Sequence, residues 1–65
     1  MITLEAKSNA NLVRTQLQVA ALRKGLPYAQ AERAWYKWLA QQGYSDDEIR
    51  SIESYVAWLD KIQSE

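Results

Sequence analysis

Two breaks interrupt this sequence, and their positions leave little choice of architecture. Gly25-Leu26-Pro27 is the first and Gly43 the second; the chain has no other glycine or proline. Glycine reaches the left-handed conformation that ends helices, and proline suits the first helical position, where its missing N–H has no helix partner anyway. Pro27 is therefore expected to open a second helix and Gly43 to cap its end. Directly after Gly43 comes Tyr44-Ser45-Asp46-Asp47-Glu48-Ile49. Ser45 can accept from the Glu48 N–H while the Glu48 carboxylate reaches back to the Ser45 N–H, which is a capping box. Tyr44 and Ile49 stand at hydrophobic-staple positions, and Asp46 and Asp47 place negative charge at the positive end of the helix dipole. As a cation site the same acidic run lacks the alternating ligands of a calcium loop.

These signals predict an all-α fold: a compact three-helix bundle with a short N-terminal extended arm. The arm is expected over residues 1–7, with 2–6 extended, and the helices near 9–24, 27–42 and 46–63. All belong to one domain, because 65 residues lie close to the lower limit, roughly 60, for folding without staples. Short connections between helices force neighbours to pack on one another.

Composition then removes whole classes of function. There is no cysteine and no histidine. Disulfides, thiolate nucleophiles, imidazole bases and the usual zinc ligands are absent with them. No carboxylate pair is isolated in an apolar setting that would split its pKa values, and a bundle this small has little room for a ligand pocket. The expectation is a chain that is not an enzyme and takes no cofactor or metal. An apolar content of 48% is too high for disorder. The N-terminus shows no targeting signal, and no apolar run approaches the roughly 18 residues of a membrane span, which places the protein in the cytoplasm, its own or a host's.

At 3.6 residues per turn, the second helix gathers Tyr28, Ala31, Trp35, Trp38 and Leu39 on one face. The third gathers Ile49, Ile52, Tyr55, Val56, Leu59 and Ile62, with Trp58 at the margin. Both read as core-facing, and tryptophans let a small core bury much area per residue. The first helix differs. Val13, Leu17, Ala20 and Ala21 lie on one side, while Leu12, Val19 and Leu22 lie nearly opposite. A helix apolar on two faces is sandwiched or buries its second face on a partner, and three helices cannot easily sandwich one of their own. Scattered exposed apolar residues are the ordinary alternative. Leu12, Val19 and Leu22, with Tyr36 and Trp58 as aromatic anchors, are therefore the candidate protein interface, for a homodimer or another protein.

The formal charge of zero hides an uneven distribution. Residues 1–37 carry six basic side chains against two acidic, a net of +4, and residues 38–65 carry two against six, a net of −4. Arg14, Arg23, Lys24, Arg33 and Lys37 form the candidate nucleic-acid face. Arg33 and Lys37 stand one turn apart with Tyr36 beside them. A solvated face, or oppositely charged halves attracting within the fold or across a dimer, accounts for the same pattern. DNA-binding motifs match only in part. Ala21 and Gly25 suit a helix-turn-helix, but Pro27 and Tyr28 follow the turn where an apolar second helix should begin. In a ribbon-helix-helix arrangement the arm would turn Ile2, Leu4 and Ala6 inward and Glu5 toward phosphate, which is unfavourable.

Residues 22–39, and within them Ala31-Glu32-Arg33-Ala34-Trp35-Tyr36-Lys37-Trp38-Leu39, resemble the N-terminal SAM-like core-binding domain of phage and integron integrases. That family often shows Thr-Glu-x-Ala-Tyr-x-x-Trp-Ile, against which this chain has Ala for Thr and Trp for Tyr. The family's domain is longer and usually has four helices. The resemblance implies a DNA-clamping ancestry without recombinase activity. The expected function is thus a small non-enzymatic regulatory or inhibitory module acting by protein–protein binding, of a kind frequent in phages and mobile elements. A DNA-binding accessory or transcription-regulator module using the basic face is the alternative.

Overall fold

A computed structural model describes residues 2–64. It consists of α1 (Leu4–Arg23), α2 (Tyr28–Gln41) and α3 (Asp46–Gln63), an all-α three-helix bundle. None of these helices is long and apolar enough to cross a membrane.

The arm is shorter than expected. Thr3 is already the N-cap of α1, its Oγ1 accepting from the Ala6 N–H at 3.1 Å, and Glu5 sits in the first turn. A threonine cap followed by an acidic first turn stabilises helix, whereas an isolated extended strand has nothing to pair with. Residues 4–7 therefore belong to α1, and of the expected arm Met1 lies outside the described residues. Ile2 packs on the core, but Leu4, which a ribbon-helix-helix arm would turn inward, is 67% exposed.

Both breaks fall where expected. Gly25 has φ +70° and Gly43 φ +79°. At the end of α1 the Leu26 N–H donates to the Ala21 carbonyl at 2.9 Å and the Gly25 N–H to the Leu22 carbonyl at 3.1 Å. Together these form the two-bond Schellman closure, which needs the left-handed glycine between them. Pro27 is the N-cap of α2 and not its first helical residue: its ψ of 147° is extended, so the helix starts at Tyr28. The α3 capping box is complete, with Glu48 N–H to Ser45 Oγ at 3.2 Å and Ser45 N–H to Glu48 Oε1 at 2.9 Å. Tyr44 and Ile49, the staple pair, both pack against the core.

That core is centred on Leu39 and Ile52, both fully enclosed, with Ala10, Trp35 and Val56 completing it. Small residues at Ala10, Ala21 and Ala31 are buried and let helices approach closely. The Trp35 indole Nε1–H donates to the Ala10 carbonyl at 2.9 Å, so a buried polar group finds its partner on another helix's backbone. Two residues expected on core faces stay largely outside: Tyr28 is 55% exposed and Ile62 48%. The bundle is flat, 36 × 32 × 16 Å, so a residue at the edge of a helix's apolar arc has no fourth element to cover it.

Candidate protein interface

α1 is the element on which the site rests. Its inner side supplies Ala10 and Ala21 to the interior, with Val13 and Leu17 packed at the margin. Its outer side carries Leu12, Val19 and Leu22, all exposed as expected, and Leu22 at 81% is the most exposed large apolar residue among those described. Leu4 joins them, because 18 residues are five full turns and place Leu4 on the same line as Leu22. Sequence reasoning missed Leu4 by assigning it to the arm; Thr3 followed by Glu5 was the signal that could have found it.

Ser8 and Thr15 stand between these apolar residues, and both are exposed. The charged residues of α1 are Glu5, Lys7, Arg14 and Arg23. Lys7 and Arg14 are half-buried on the inner side. The outer face thus runs from Glu5 to Arg23 with no charge between. A solvated helix face ordinarily carries charged side chains.

At the α1–α2 corner, Leu22 borders a shallow apolar hollow of about 240 Å³ lined also by Gln18, Ala21, Leu26, Tyr28 and Ala31. Leu26 is 41% exposed there. Tyr28 was expected in the core; instead its ring forms the wall of this hollow and its hydroxyl is tied to α1. Arg14 Nη2 donates to Tyr28 Oη at 2.7 Å, and Gln18 Nε2 donates to the same oxygen at 3.0 Å.

The aromatic candidates Tyr36 and Trp58 do not join the α1 stripe. Tyr36 lies against the Trp35 ring edge, centroids 5.2 Å apart, and donates its hydroxyl to the Glu53 carboxylate of α3. That hydrogen bond, followed by burial and by the negative charge of Glu53 and Glu32, pushes the Tyr36 pKa up to about 12, with Arg14 opposing. Tyr36 is thereby a tie between α2 and α3. Trp58 is 55% exposed on α3, beside Tyr55 at 6.3 Å between ring centroids.

The candidate basic face loses one member. Arg14 is held inside by Tyr28, by Asp60 Oδ2 at 3.5 Å and by the Trp35 ring, whose centroid lies 5.8 Å from its guanidinium carbon. With its side chain only 15% exposed and committed to these partners, it does not join the outward-facing cations. Arg23, Lys24, Arg33 and Lys37 are exposed, and among the described residues no carboxylate pairs with them. A narrow cleft of about 150 Å³ between α2 and α3 collects Arg14, Glu32, Tyr36, Glu53 and Asp60. Four of these five polar side chains are engaged pairwise, Arg14 with Asp60 and Tyr36 with Glu53. Comparison of the chain with protein-family models, curated proteins and solved structures gave no match in any of the three.

Proposed function

We propose that this chain is a small non-enzymatic regulatory or inhibitory module that works by binding protein through the outer face of α1. The observation that carries this reading is the uncharged run of Leu12, Val19 and Leu22, with Leu4 at its end, exposed on a helix whose other face already fills the core. Exposed apolar residues that form a continuous stripe mark interaction surfaces, whereas isolated ones do not. Anchors of this type supply most of the energy of an interface when a partner desolvates them.

The test compares two baits, the wild-type chain and Leu22→Glu, in capture from cells that express the protein. Leu22 is too exposed for this substitution to disturb the folded monomer, so at concentrations low enough to keep the chain monomeric the variant should match the wild type in helix content and melting. The reading requires a retained protein, another copy or a different chain, that the variant loses. Equal retention by both baits would sink it.

A second reading has the exposed cations Arg23, Lys24, Arg33 and Lys37 in its favour, together with the resemblance of residues 31–39 to a DNA-clamping domain. It takes the chain as a DNA-binding accessory module. Four phosphate contacts would give a slope of log K against log salt of about −3.6 on duplex DNA. The Arg33→Ala, Lys37→Ala double variant should then roughly halve that slope. An unshifted labelled duplex at low salt would dispose of it.

A further inference from the structure

We infer that the occupant of the α1 outer face is α1 of a second copy of this chain, running antiparallel about a two-fold axis that passes between Val13 and Arg14. The inference rests on the protein-binding reading above and names its partner.

The face is self-complementary only in that direction. Glu5 and Arg23 are 18 residues apart, so they lie on one flank of the apolar seam at opposite ends of the helix. Antiparallel pairing with full overlap of Leu4–Arg23 sets Glu5 against Arg23 of the second copy, twice by symmetry. Parallel pairing would bring the two Glu5 side chains to one level and the two Arg23 side chains to the other, on opposite sides of the seam, with no opposite charges opposed. On the other flank the same register brings Leu4 onto Leu22 of the second copy, beside the hollow lined by Leu26 and Tyr28. Along the seam, Leu12 faces Thr15 and Val19 faces Ser8, each large side chain meeting a small one. The positions 8, 12, 15, 19 and 22 are spaced alternately by four and three, which is the spacing of a helix–helix seam. A two-fold contact requires one surface to satisfy itself in this manner. Charge, shape and register all select the same arrangement, centred on the midpoint of the helix.

The chain has no cysteine, so introduced ones report geometry without interference. Leu4 and Leu22 are about 27 Å apart along α1, too far for a bond within one molecule. The Leu4→Cys, Leu22→Cys double variant should therefore give a covalent dimer on mild oxidation, while neither single variant gives more than trace amounts. In sedimentation equilibrium the unmodified chain should be a dimer whose dissociation constant rises about tenfold in Glu5→Arg at low salt. Combining Glu5→Arg with Arg23→Glu should restore it.

A chain that stays monomeric to several hundred micromolar overturns the inference. So does rapid cross-linking of either single variant, the mark of parallel packing, or a dimer indifferent to both charge changes. The protein-binding reading fails separately. If the chain is monomeric yet the wild-type bait retains a different protein that Leu22→Glu loses, that reading stands and the second copy is excluded.

Discussion

Arg14 makes three contacts, none with a neighbour in the sequence: a hydrogen bond to Tyr28, an ion pair with Asp60 and a stacking position over Trp35. Its guanidinium can do this because it is planar, with donors at several angles; an ammonium cannot. Arg14→Ala should lower unfolding free energy by about 1–3 kcal/mol in urea denaturation, a range discounted for the exposure of Asp60. Arg14→Lys should recover less than half of the loss. Tyr36 offers a second residue-scale check. Its folded pKa, raised to about 12, lies above the ordinary 10.0, so its tie to Glu53 stabilises the fold below pH 10 and is lost as pH rises through about 12. In alkaline titration followed by phenolate absorbance, one of the four tyrosines should ionise last, and Tyr36→Phe should remove that component.

At the scale of the helices, stability depends on how each one ends. Ser45→Ala removes the acceptor for the Glu48 N–H and should cost about 1 kcal/mol by chemical denaturation. The Glu48 carboxyl is held below its ordinary 4.5, chiefly by the hydrogen bond from the Ser45 backbone N–H. A depressed folded pKa means that its contribution is present above the ordinary value and disappears as pH falls through the folded one. Glu48→Gln keeps the reciprocal bond, because an amide oxygen also accepts, but removes the titration. The loss of stability as pH falls below the ordinary carboxyl value should therefore be shallower in that variant. Gly25→Ala tests the other kind of ending. A Cβ there meets nothing within 4 Å, so its cost is purely the positive φ of +70°, about 1–2 kcal/mol.

As a whole molecule the protein is flatter than its size requires. Its radius of gyration is 12.0 Å, against about 10.7 Å for a compact chain of this length. Its accessible surface is 4851 Å², against about 4250 Å² expected from its mass. α1 packs against both α2 and α3, and three helices arranged as a plate leave two broad faces. Few residues are fully enclosed, so the monomer should be marginally stable, and covering α1 should add to it. The melting temperature of the wild type should consequently rise with protein concentration, while that of Leu22→Glu should not. Scanning calorimetry over a hundredfold range of concentration checks both.

The ends of α2 and α3, the breaks at Gly25 and Gly43 and the capping box were legible in the amino-acid order, because each depends on residues within about one turn of each other. The exposed stripe Leu12, Val19 and Leu22 was legible too, since helical periodicity alone separates it from Val13, Leu17 and Ala21. The start of α1 at Leu4 was not, because a single threonine cap is a weak signal beside the stronger boxes further along. Nor could periodicity say that Arg14 would turn inward, or that Tyr28 and Ile62 would lie outside. Those outcomes depend on where α2 and α3 stand around α1. Sequence by itself determined three helices and the face of each that seeks cover. Only the tertiary arrangement decided which faces found it, because three helices in a plate 16 Å thick cannot enclose them all.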